Sequence, residues 1–125
     1  MQRIYLDNNS TTRPAPEVVE AMAPWMHERH ANPSSPHPAG EASADAIRAA
    51  RGQVASLLNC SPSEVCFTSG ASESIATAFA SAQATAPEAR RKLIVSNAEH
   101  SAVKYNAQRA GEEGWDLAVI DVDEE

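Results

Sequence analysis

Two short apolar runs with a helix-length stretch between them constrain this chain more than any other feature. Lys92–Ser96 (KLIVS) and residues 115–122 (WDLAVIDV) each have the length of a β-strand, and residues 101–113 between them have the length of a helix. Strands joined by ten or more helical residues argue for right-handed β-α-β units and a mostly parallel sheet, because a hairpin needs only a tight turn. The second run is almost continuously apolar, as expected of a strand covered on both faces. It leads into Asp123-Glu124-Glu125 with no helix after it. Apolar surface left open in this way calls for more chain or a partner.

Upstream, residues 3–6 read as a short edge strand that runs into the polar stretch 7–12. Pro14 and Pro16 open a helix with Val18, Val19, Met22, Trp25 and Met26 on roughly one face. Pro24 inside that pattern is expected to kink or break it. Asn32-Pro33-Ser34-Ser35-Pro36-His37-Pro38 has three prolines in seven residues and reads as a loop of fixed shape. Helical periodicity resumes at Glu41, with Ile47, Val54, Leu57 and Leu58 as the apolar stripe, and stops at Asn59 and Ser61-Pro62. Residues 64–68 read as a strand, and Gly70 turns it into an alanine-rich helix over 72–83. The fold class is therefore α/β: an N-terminal helical segment over 1–60, then β-α-β-α-β units over 61–125.

Composition excludes several functions. Formal net charge is −7 and the basic residues are scattered, so no stripe exists to neutralise phosphates and no nucleic-acid partner is expected. No segment has the apolar length of a membrane span, and residues 1–14 lack the apolar core of a secretory signal. The expected compartment is the cytoplasm. Cys60 and Cys66 lack the spacing of a metal knuckle and read as buried thiols. His27 and His30, three apart on a helix, have no third ligand in view, so no metal site is expected.

Three features can carry chemistry. In Thr68-Ser69-Gly70-Ala71-Ser72-Glu73-Ser74, Gly70 permits unusual backbone conformations, and the amides that follow point outward at the positive end of a helix. That arrangement suits a phosphate, with the Ser72 hydroxyl as an added donor. One glycine and no Gly-Lys-Ser/Thr make it neither a dinucleotide fingerprint nor a Walker loop. The plain alternative is a strand-to-helix turn with Ser72 as N-cap. Glu99-His100 follows the KLIVS strand at the mouth of a helix, where an imidazole can stack on a flat ligand or move a proton. A surface or capping histidine is the alternative there. The loop ending at His37 and Gly40 is a pocket wall, a subunit contact or a connector, and spacing does not choose among them.

Taken in order, these segments resemble the cysteine desulfurases of the class V aminotransferase family. The residues that carry the resemblance are Tyr5-Leu6-Asp7-Asn8-Asn9-Ser10-Thr11-Thr12, Asn32-Pro33-Ser34-Ser35 with His37 and Gly40, residues 64–74, and Glu99-His100-Ser101-Ala102-Val103. The resemblance implies part of a fold type I large domain that binds pyridoxal 5'-phosphate. Gly70, Ala71 and Ser72 would then hold the phosphate, and His100 would stack on the ring and assist proton transfer. Ser72 stands where the family usually has threonine, and Ile75 where asparagine is common. The implied reaction converts L-cysteine to L-alanine and leaves the sulfur as a persulfide on an enzyme cysteine, for iron–sulfur cluster or thionucleotide assembly. A homodimer and a sulfur-acceptor or scaffold protein are implied partners.

The Schiff-base lysine, the aspartate that pairs with the pyridine nitrogen, the substrate arginine and the sulfur-carrying cysteine lie downstream in that family, and none of their motifs occurs here. Lys92 and Lys104 sit at a strand start and within a helix. The rival readings are a selenocysteine lyase or other aminotransferase of the family, a silent chain acting by interaction, and a split enzyme. The 125 residues by themselves are expected to make no alanine from cysteine; turnover above a blank would overturn that expectation.

Overall fold

The computed structural model describes residues 4–122. Arg3 of the expected edge strand, and the acidic residues 123–125, lie outside the described residues. Residues 4–6 form no strand. The chain divides into two compact units, Met1–Cys66 and Phe67–Glu125.

The first unit holds helix α1 (Pro16–His27) and helix α2 (Pro38–Leu58), followed by a short 3-10 turn at Pro62–Glu64. Prolines in the first turns of α1 and α2 need no intrahelical donor, so both helices begin there at little cost. Pro24 does not break α1. It forfeits only its own amide bond, and its carbonyl still accepts from Glu28 N at 3.0 Å and Arg29 N at 2.8 Å. The Arg29 guanidinium lies 5.4 Å from the Trp25 ring centre and covers it.

The Asn/Pro loop is neither helix nor strand, as expected, and its turns are closed by hydrogen bonds. Ser35 N donates to Asn32 O at 3.0 Å, Ser34 N to Asn32 Oδ1 at 2.9 Å and His37 N to Ser35 O at 2.9 Å. His37 is the N-cap of α2, and its Nδ1 accepts from Gly40 N at 3.2 Å. At the far end Asn59, at φ 54°, closes the helix in the left-handed conformation that asparagine tolerates.

Burial corrects one expectation. Leu57 and Leu58 of the α2 stripe are exposed, as are Val18, Val19, Met22 and Met26 of α1. The residues of α2 that are buried are the small ones, Gly40, Ser43 and Ala55.

The second unit holds helix α3 (Ala71–Thr85), a 3-10 turn at Glu88–Arg90, strand β1 (Lys92–Ser96), helix α4 (Ser101–Glu112) and strand β2 (Asp116–Ile120). The two strands pair in parallel, with Lys92 opposite Asp116 and Ser96 opposite Ile120. The expected β-α-β unit is therefore present with α4 as its crossover. Gly114, at φ 94°, makes the turn from α4 into β2. Ala107 and Ala110 of α4 are 1% and 0% exposed and form the core of the unit. Pleating turns Leu93, Val95, Leu117 and Val119 to the α4 side and leaves Ile94 and Ile120 on the other, where both are exposed.

The expected strand at 64–68 is not formed among the described residues. Glu64 ends the 3-10 turn, and Val65 is extended but belongs to no ladder. A strand exists only where another segment takes its backbone hydrogen bonds. Cys66, expected to be buried there, is exposed, and Cys60 is half-buried.

Two glycines give opposite predictions. A Cβ on Gly40 would overlap the Ser35 carbonyl oxygen and lie 2.8 Å from the Asn32 oxygen, so Gly40→Ala should destabilise the chain by roughly 1–3 kcal/mol. A Cβ on Gly52, in mid-helix, meets nothing within 4 Å, so Gly52→Ala should stabilise it by roughly 0.5–1 kcal/mol. Urea unfolding midpoints of the two variants check both signs.

Candidate functional site

Residues 68–74 form a turn stapled by its own polar side chains. Thr68 Oγ1 donates to the Gly70 carbonyl at 3.1 Å, and Ser74 Oγ, 3.3 Å from the same carbonyl, gives its one proton to Thr68 Oγ1 at 2.6 Å. The Ser69 amide and hydroxyl both donate to Glu73 Oε2, each at 2.6 Å. The Ser69 hydroxyl, and then its N–H, hold the Glu73 carboxyl below the usual carboxylate range. Glu73 thus keeps its charge and ties the first turn of α3 back to the residue before Gly70.

Gly70 is the N-cap of α3 and supplies no side-chain cap. The first intrahelical bond runs from Ser74 N to Gly70 O at 3.1 Å. The amides of Ala71, Ser72 and Glu73 therefore lack intrahelical acceptors, as the first amides of any helix do. Ser72 is the second residue of the helix and not its N-cap, so its exposed hydroxyl is not used as a cap. Gly70 is extended, at φ 162° and ψ −178°, a conformation open to any residue. Nothing lies within 4 Å of a Cβ placed on it, so the space over this turn is open.

His100 is the N-cap of α4, and its Nδ1 accepts from Ala102 N at 3.1 Å. A ring that accepts through Nδ1 in its neutral form carries its proton on Nε2, and His100 is exposed. Ser96 Oγ donates to Glu99 Oε1 at 3.1 Å across the turn that leads to it.

Gly70, Ala71 and Ser72 are consecutive at the start of α3, and His100 stands at the start of α4. The two helices meet near their other ends, where Gln83 Nε2 donates to Glu113 Oε2 at 3.0 Å. Gln83 and Glu113 each lie twelve residues past the first residue of their helices, about 18 Å along each axis. Ala76, Ala80 and Ala84 of α3 line one cleft with Asn106 and Arg109 of α4, so the helices run side by side. Both helix starts accordingly lie at the same end of this unit.

The sequence reading gave no role to Glu73, to the Thr68–Ser74 pair or to Asn97. The signal for the first is an acidic residue in the first turn of a helix, at its positive end. Asn97 follows β1 directly and hydrogen-bonds across to residues 121 and 122. Among the described residues no three His, Cys, Asp or Glu side chains converge as metal ligands. No helix among them is long and apolar enough to cross a membrane.

Comparison with known proteins adds an independent line. The family model described as aminotransferase class-V matches residues 4–125. A cysteine desulfurase of Cereibacter sphaeroides is 49% identical over 104 residues, which is 82% of this chain and 27% of that protein. A cysteine desulfurase of Enterobacter agglomerans is 44% identical over 126 residues, which is 100% of this chain and 31% of that protein. Among solved structures, a NifS-like protein matches with a TM-score of 0.88 at 34% identity, covering 95% of this chain and 33% of its own. SspA in complex with cysteine matches with a TM-score of 0.78 at 35% identity, covering 89% of this chain and 32% of its own. The chain therefore spans about a third of the length of the relatives it matches.

The Glu73 staple has a pH signature. Its carboxyl titrates lower in the folded chain, so its stabilisation is present above the ordinary carboxylate pKa and is lost as pH falls through the lowered folded value. Glu113, held down by Arg109 and then by Gln83, acts in the same direction. Glu73→Gln should therefore lose stability less steeply than the parent between pH 5 and about pH 3. Urea midpoints across that range measure it, and equal slopes would refute the role given to Glu73.

Proposed function

Because the chain belongs to the aminotransferase class-V family, we propose that it supplies the phosphate cradle and one ring contact of a pyridoxal 5'-phosphate pocket in a cysteine desulfurase. The observation that carries this reading is the start of α3. Three amides without intrahelical acceptors, an uncommitted Ser72 hydroxyl and open space over Gly70 fit a phosphate dianion. Residues 61–125 are the first part of the cofactor-binding domain in this reading, and residues 1–60 are the segment that precedes it.

When bound, the cofactor supplies an electron sink for chemistry at the substrate α-carbon. The work of this chain is to hold and to orient. The amides of Ala71 and Ser72 and the Ser72 hydroxyl donate to the phosphate, and the positive end of α3 adds to its hold. Gly70 keeps side-chain bulk away from those amides. His100 offers its ring face for stacking and Nε2 to carry a proton. The bond from Ala102 N to Nδ1 holds the ring at the helix mouth in the tautomer that leaves Nε2 as the proton-bearing atom.

The substrate in this reading is L-cysteine, converted to L-alanine. The whole protein works in the cytoplasm as a homodimer and passes sulfur to an acceptor or scaffold protein. The relatives named cysteine desulfurase, and the structural neighbour solved with cysteine, support L-cysteine as the substrate.

The test is made on the intact gene product as isolated from its source. Absorbance titration of the cofactor-free protein should show pyridoxal phosphate binding. Ser72→Ala should weaken it by about tenfold or more, the loss of a hydrogen bond to a charged group, whereas Ser72→Thr should bind as the parent does. His100→Ala should lower alanine release from cysteine by roughly a hundredfold or more. A parent protein that binds no pyridoxal phosphate would overturn the reading.

A further inference from the structure

The ladder between β1 and β2 ends with a side chain standing in for the main chain. In a parallel pair, a residue whose N–H donates to the neighbouring strand receives, on its own carbonyl, the N–H two residues further along that strand. Asn97 N donates to Ile120 O at 2.8 Å, which continues the register that pairs Ser96 with Ile120. The return bond from Val122 N belongs by that rule on the Asn97 carbonyl. It goes instead to Asn97 Oδ1, at 3.0 Å. The same amide group donates through Nδ2 to Asp121 Oδ1, also at 3.0 Å.

One planar group thereby takes the last ladder amide and ties the Asp121 side chain beside it, and the main chain at residue 97 leaves the strand. It leaves into the short turn that ends at His100, where Ser96 Oγ holds the Glu99 carboxylate. A short side chain with an acceptor and a donor on one plane is required. Alanine has neither, and aspartate lacks the donor and sets a second carboxylate beside Asp121.

The geometry points to Asn97 as a positioning residue for His100. By finishing the β1–β2 ladder with its side chain, it fixes where the main chain departs the sheet and so how the imidazole is presented to the cofactor ring. This rests on the proposed pyridoxal-phosphate pocket and goes beyond it, since Asn97 itself touches neither cofactor nor substrate in this scheme.

The experiment uses the intact gene product, loaded with pyridoxal phosphate, as the parent, N97A, N97D and the double exchange N97D with D121N. The readouts are the visible circular dichroism of the bound cofactor, the pH dependence of its absorption, and the urea midpoint. N97A and N97D should lose at least threefold of the dichroic band and shift the pH profile. The double exchange should restore both, because it returns the donor to the opposite side of the same hydrogen bond. If N97A does not fold, the contrast between N97D and the double exchange carries the test alone. Variants that lose urea stability but keep the parent band and pH profile would show Asn97 to be structural only, and a double exchange no better than N97D would overturn the clamp. A parent that binds no cofactor would instead overturn the functional reading, and this inference with it.

Discussion

The close approach of α4 to the β1–β2 ladder is the contact on which the second unit depends. A parallel pair cannot close through a hairpin, so the crossover helix must lie down on the strands it joins. Ala107 and Ala110 are fully buried along that seam, and the Leu117 side chain lies 3.7 Å from where a Cβ on Gly111 would stand. Small side chains let the helix axis come in; a stripe of leucines would hold it off. The paired strands in turn place the turn at 97–100, and α3, packed alongside α4, brings its own start to the same end of the unit. The order of dependence runs from alanines in a helix to the position of an imidazole.

Local pattern was legible where one segment settles its own conformation. β1 spans the residues its β-branched, apolar run indicates, and α4 and α2 end at the turn and the Asn59 cap that the sequence signals. It failed where a second segment decides. Residues 64–68 have the composition of a strand and the extended backbone at Val65, but pairing is a relation between two stretches of chain and cannot be read from one. The helix stripes failed for a related reason. Periodicity reports which side chains prefer to be covered, whereas the chain buries Gly40, Ser43, Ala55, Ala107 and Ala110 and leaves Leu57, Ile94 and Ile120 exposed.

At the candidate site, the helix starts are readable in the sequence and what supports them is not. Ala71, Ser72 and His100 stand out because they begin helices, a property of the immediate sequence. Gly70 stands out in the sequence for a conformational freedom that the fold does not use, since its backbone is extended and a Cβ there would meet open space. Glu73 and Asn97 act by holding other residues, Glu73 across four positions and Asn97 across more than twenty. The first is signalled only by its place in the first turn of a helix; the second by nothing, because nothing in a single strand announces that its side chain will complete a ladder.

Among the described residues after residue 37, helices α2 and α4 each begin under a histidine imidazole that accepts an amide, while α3 begins under a glycine, which has no side chain to accept one. Its first amides are therefore left to water or to a ligand from outside the helix. An anion that takes them up serves the helix as a missing residue would, and its binding adds to the stability of the turn it occupies. Occupancy and the order of that turn form one equilibrium. In the proposed pocket the ligand would then count as part of the fold that receives it.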